Sequence, residues 1–144
     1  MKEAMHPVEG EVIALDVGEK RIGVARVHSF TKLPEPLEPI LTDTTDSFEA
    51  IRARVNQHEA VAIVCGLPRG LHGDDTQQTQ TIRAFIDQLK QSLDIPIYAI
   101  DEAGTSKEAE IRMQDMKATS KDSVAAMIIA EDFVNNPKQE ELLV

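Results

Sequence analysis

Two short runs rich in β-formers, Glu11–Val17 (EVIALDV) and Arg21–Val27 (RIGVARV), are separated only by Gly18-Glu19-Lys20. A parallel crossover takes a dozen residues or more, so this short connection can only reverse the chain into an antiparallel pair. The first run ends near an acid, Asp16, just ahead of a glycine suited to a turn. Pro34, Pro36 and Pro39 break the next stretch and leave Leu37–Leu41 as a short third strand, at an edge where a missing N–H is tolerated. Asp46 can cap a helix whose apolar positions Phe48, Ile51 and Val55 recur at helical spacing.

The rest of the chain alternates. Ala60–Cys65 is a continuous apolar strand that stops at Gly66-Leu67-Pro68, followed by a loop through Gly70 and Gly73. A helix over about 76–93 places Ile82, Phe85, Ile86 and Leu89 on one face. Ile95–Ile100 reads as another buried strand ending at Asp101-Glu102, and helices over about 106–116 and 121–134 complete the pattern. Three antiparallel strands followed by strand–helix alternation predict an α/β fold, a mixed five-stranded sheet flanked by helices on both faces. We expect a single domain spanning 1–144, with its core at about 11–134 and a frayed tail over 135–144.

Composition excludes several classes. Apolar residues make up 42% and charged residues 28%, the balance of a globular chain. One cysteine, Cys65, permits neither a disulfide framework nor a cluster of thiolates around zinc. No apolar run is long enough for a membrane span, and the start MKEAMHP has no signal core, so a soluble cytoplasmic protein is expected. The chain carries 25 acidic against 15 basic residues, a net charge of −10. Such a chain cannot coat nucleic acid through a uniformly basic surface, and without tryptophan it has no base-stacking platform. A nucleic-acid function requires a local basic rim and divalent cations between two negative surfaces; a small-molecule enzyme or a protein-binding module fits the composition equally.

The candidate chemistry lies in acids at strand ends. Asp16 closes the first strand, Asp101 and Glu102 close another, and Asp122 opens the last helix. Open sheets bind ligands outside the carboxyl ends of their strands, where these acids can meet. Clustered carboxylates repel, and a hard cation such as Mg²⁺ or Mn²⁺ compensates them with an all-oxygen shell. Two such ions can activate water and stabilise a leaving phosphodiester oxygen. Each acid also has a plainer role. Asp16 suits a turn, Asp101 and Glu102 suit solvated strand ends, and Thr119-Ser120-Lys121-Asp122 suits a capping box, as does Thr105-Ser106-Lys107-Glu108. Gly66-Leu67-Pro68-Arg69-Gly70 lacks the lysine of a P-loop. His6, His28, His58 and His72 show no metal-ligand spacing, and Cys65 reads as core. Lys20, Arg21, Arg69, Lys107, Lys117 and Lys121 fall near the strand ends and can form the basic rim.

In order, Leu15-Asp16-Val17-Gly18-Glu19-Lys20-Arg21-Ile22-Gly23-Val24-Ala25, Gly66-Leu67-Pro68 with Gly73, Asp101-Glu102 with Thr105-Ser106 and Ala109, and Lys121-Asp122-Ser123-Val124-Ala125-Ala126 resemble the YqgF family, also called RuvX, of the RNase H-like superfamily. The resemblance covers about 11–134. It implies an RNase H-like fold and a bacterial cytoplasmic nuclease associated with 5′-end maturation of pre-16S rRNA. Alternatives are an endonuclease for Holliday junctions and branched DNA, or a catalytically silent ribosome-assembly factor. It further implies that Asp16, Asp101 or Glu102, and Asp122 hold Mg²⁺ or Mn²⁺, two ions in all. Lys20, Arg21, Gly66, Arg69, Gly73, Thr105 and Lys121 would meet substrate; the sequence does not give the oligomeric state, and monomer and homodimer both stay open.

The chain departs from the family's usual pattern in two segments. Asp101-Glu102-Ala103-Gly104-Thr105-Ser106 stands where the family has Asp-Glu-Arg-Leu-Thr-Thr, so its arginine is replaced by Ala103. Arg69, where leucine is more usual, is the candidate substitute, and His72 stands where an acid is commoner.

Overall fold

The short turn reverses the chain. In a computed structural model that describes residues 8–68, 75–102, 121–135 and 142–143, β1 (Glu11–Val17) pairs antiparallel with β2 (Arg21–His28), from Glu11 opposite His28 to Val17 opposite Ile22. Strand β3 (Glu35–Leu41) adds antiparallel to β2. It begins two residues before the expected start and takes in Pro36, which the outer position allows.

Helix α1 (Ser47–His58) starts at Asp46, whose carboxylate accepts the N–H groups of Phe48 and Glu49 at 3.1 and 3.3 Å. Strand β4 (Ala62–Pro68) runs parallel to β1, and β5 (Ile97–Glu102) parallel to β4. Both extend past the expected ends. Gly66-Leu67-Pro68 reads locally as a stop, but its pairing with Ile100-Asp101-Glu102 keeps it in the sheet. Asp101 and Glu102 therefore lie within β5 rather than beyond it.

Between these strands, α2 (Gln77–Ser92) opens on a reciprocal capping box of Thr76 and Thr79. Helix α3 (Lys121–Asn135) covers the other face. The expected helix over 106–116, and the caps at Thr105-Ser106 and Thr119-Ser120, lie outside the described residues.

The sheet order is β3-β2-β1-β4-β5-β6. The sixth strand, Leu142–Leu143, comes from the tail expected to fray and pairs antiparallel with Tyr98 and Ala99. It covers part of the β5 edge, whose backbone groups would otherwise face solvent.

Period-two alternation divides the core. Ile13, Leu15, Ile22, Val24, Ile63, Cys65, Leu67, Ile97 and Ala99 pack with Ile51 and Val55 of α1 and Ile82, Ile86 and Leu89 of α2. Val12, Ala14, Val27, Ala62, Val64 and Ile100 pack with Ile129, Ala130, Phe133 and Val134 of α3. The Tyr98 and Phe133 rings lie 5.2 Å apart, closing the far end of α3 against β5. No described helix is long and apolar enough to cross a membrane.

One buried polar contact fixes where α3 begins. Ser123, 1% exposed, donates its hydroxyl to the Leu37 carbonyl of β3 at 2.7 Å. Ser123→Ala is expected to lower the urea-unfolding free energy by about 1–3 kcal/mol, because the carbonyl loses its buried donor. Phe133→Ala, which empties a fully buried site, should cost about 3–5 kcal/mol in the same titration.

Candidate active site

Asp16 is the penultimate residue of β1 and is half-buried. By alternation it shares the face of Val12 and Ala14, the face that α3 covers. Its partner on β2 is Gly23. On its other side, one step beyond the Leu15–Cys65 pair, stands Gly66 of β4. Glycines therefore flank Asp16 on both neighbouring strands, and no side chain from either crowds the sheet surface beside it.

The acidic pair on β5 divides by the same parity. Position 101 falls with Ile97 and Ala99, on the side of α1 and α2, and Asp101 is exposed. Position 102 falls with Tyr98 and Ile100, on the side of α3 and of Asp16. The third acid, Asp122, is the second residue of α3. Its neighbour Ser123 is bonded to Leu37, which pairs with Val24, which pairs with Leu15. The first turn of α3 thus stands level with Asp16, over strands that lie within roughly 10 Å of β1 at ordinary strand spacing.

Among the described residues, no group of three or more His, Cys, Asp or Glu is placed to hold a metal ion; the side chains at 102 and 122 lie outside that set. The donors this end of the sheet offers are oxygens. Cys65 points to the opposite face, and burial pushes its thiol up to about 12, so it supplies no thiolate there. His28 and His58 end β2 and α1. An all-oxygen donor set fits a hard divalent cation.

The basic candidates begin in the β1–β2 turn. Lys20 and Arg21 are both exposed. Arg21 shares the face of Gly23 and Asp16, two residues or about 7 Å further along β2. The turn is tight: Gly18 N–H donates to the Arg21 carbonyl at 3.1 Å, and a Cβ on Gly18 would lie 2.7 Å from that oxygen. Across the sheet, the Thr79 hydroxyl donates to the Pro68 carbonyl, tying the start of α2 to the end of β4. Lys121 opens α3, whereas Arg69, Gly73, Thr105, His72 and Ala103 lie outside the described residues. Gly23, Ser123 and Thr79 escaped notice in the sequence as site-shaping residues. Only the alternation of β2 against β1 could have singled out Gly23.

A family model described as RuvX, Holliday junction resolvase, matches residues 10–136. The chain belongs to the RuvX family. This membership makes it a nuclease, a hydrolase acting on phosphodiester bonds. A relative from Roseiflexus sp. (strain RS-1) is 36% identical, over 90% of this chain and 96% of its own, and carries the provisional name pre-16S rRNA nuclease. Relatives under the same provisional name from Paraburkholderia xenovorans and Gloeobacter violaceus are 35% and 34% identical. They cover 88% and 91% of this chain, and 89% and 91% of their own.

Among solved structures, Thermus thermophilus RuvC superposes with a TM-score of 0.56 at 12% identity, over 92% of this chain and 99% of its own. The same protein in complex with a Holliday junction substrate gives 0.54 at 14% identity, over 93% of this chain and all of its own (100%). These likenesses establish the RNase H-like fold of the RuvX chain.

The raised Cys65 value has a direct consequence. The thiol should resist Ellman's reagent at pH 8 in the folded protein and react at once in denaturant. Its folded value lies above the ordinary 9.0. Its contribution to stability is therefore complete below pH 9 and is lost as pH rises toward 12.

Proposed function

We propose that this RuvX chain hydrolyses the phosphodiester backbone of structured RNA, in 5′-end maturation of pre-16S rRNA, as a single nuclease domain over 1–144. In this reading Asp16, Glu102 and Asp122 form the acidic centre, and Asp101, on the other face, stands outside it. The observation that carries the reading is the shared face: Asp16, position 102 and the first turn of α3 lie on one side of the sheet, at one end of its parallel strands. The relatives' provisional name supplies the substrate, and a cytoplasmic site of action follows from that substrate.

Three carboxylates gathered at one end of the sheet would repel one another, and an oxygen-only donor set suits Mg²⁺ or Mn²⁺, two ions in all. Such cations supply a water acidic enough to attack at neutral pH and positive charge for the leaving oxygen. The chain's own residues do the rest. Asp16, between two glycines, leaves the sheet surface open for a backbone phosphate to approach. Lys20, Arg21 and Lys121 neutralise flanking phosphates on the β2–β3 side. Gly66, Gly73, Thr105 and Arg69 also meet the substrate, with Arg69 standing in for the arginine that Ala103 replaces.

Hydrolysis of branched DNA at the same centre is the second reading, favoured by the description of the family as Holliday junction resolvase. Side-by-side assays on a 16S precursor RNA and a four-way DNA junction separate the two. We expect the RNA to be cut and Asp16→Asn to abolish Mg²⁺-dependent cleavage. Its melting temperature should be unchanged or raised, since one source of repulsion is gone. Undiminished cleavage by Asp16→Asn would overturn the assignment, and binding without cleavage by the unmodified protein would point to a silent assembly factor.

A further inference from the structure

We infer that Thr42, just beyond β3, is a positioning residue for substrate binding: it holds the Lys20–Arg21 turn at the phosphate-facing rim. The inference rests on the nuclease reading and extends it to a residue that no sequence motif marks. Two consecutive turn carbonyls accept hydrogen bonds from this one residue. Its backbone N–H donates to the Lys20 carbonyl at 3.0 Å, and its hydroxyl donates to the Glu19 carbonyl at 2.8 Å. The adjoining residue, Leu41, pairs with Arg21 in the sheet. From within, Gly18 N–H holds the Arg21 carbonyl. The turn is therefore braced on both sides, immediately after the strand that carries Asp16.

The bracing has a functional logic. A short surface turn carrying Glu19, Lys20 and Arg21 would otherwise sample several backbone states. Each phosphate bound would then have to order the turn as well as the side chains, which weakens affinity. A turn fixed beforehand presents its cations in one register with Asp16. The effect belongs to binding, because the groups Thr42 holds are the backbone carbonyls of the turn that carries the cations.

The test uses a 16S precursor RNA with Mg²⁺ and three forms of the full chain. Thr42→Val keeps the backbone N–H and the shape but removes the hydroxyl; Thr42→Ser restores it. Thr42→Val is expected to raise KM about two- to tenfold, the range for one lost hydrogen bond, while kcat changes less. The fall of log(kcat/KM) with log salt should become shallower, as it does when a phosphate contact is lost. Thr42→Ser should return both quantities to those of the unmodified protein. An unchanged KM and salt slope in Thr42→Val would overturn the role. So would a loss confined to melting temperature, or failure of Thr42→Ser to rescue. Absence of RNA cleavage by the unmodified protein would instead sink the nuclease reading itself.

Discussion

The site depends on the alternation of side chains along strands laid side by side. Because β1, β4 and β5 are parallel neighbours, their carboxyl ends finish at one edge of the sheet. Because alternate residues face opposite ways, one face receives Asp16, Gly66 and position 102, while Cys65, Leu67 and Asp101 go to the other. A slip of one residue in the β4–β5 register would exchange the two acids of β5. That register is held by burial on both faces, from Ile63 and Ile97 on one to Val64 and Ile100 on the other. The proposed acidic centre would thus be a product of core packing, and the Ser123–Leu37 bond holds the start of α3 over that face.

Charge decides what such a centre can bind. The chain carries a net charge of −10, and its basic residues differ in whether acids engage them. Arg26, at the end of the sheet away from Asp16, is taken up by Glu11 at 2.5 Å and Glu35 at 2.7 Å. The hydrogen bond that Arg26 donates to Glu11 is the largest influence raising its guanidinium above its ordinary value. Lys20 and Arg21 lie instead at the end that carries the acids. An acidic chain with two exposed cations in the turn beside Asp16 can engage a polyanion there while repelling it elsewhere, which suits cleavage at a defined point more than coating of a long strand.

Much of this was legible in the amino-acid order because local signals and global fold agree. The three-residue reversal after Asp16, the Asp46 cap and the helical spacing of Ile82, Ile86 and Leu89 each read alike in isolation and in place. The fold class, the helices on both faces and the strand-end acids followed from them. Where reading fell short, a tertiary contact overrode a local cue. Gly66-Leu67-Pro68 carries turn residues yet stays paired, because β5 offers partners as far as Glu102. Leu142–Leu143 is too short to signal a strand and becomes one only against the β5 edge. Proposing Glu102 over Asp101 rests on the β4–β5 register, which composition and spacing along the chain do not contain. The paired carbonyls held by Thr42 join segments 23 and 22 residues apart, beyond any motif.

Calorimetric titration of Mn²⁺ into the purified full chain, with Asp101→Asn and Glu102→Gln alongside, measures the shared-face arrangement most directly. Glu102→Gln should lose Mn²⁺ binding, whereas Asp101→Asn should titrate like the unmodified protein. Binding that survives Glu102→Gln and disappears in Asp101→Asn would contradict that arrangement.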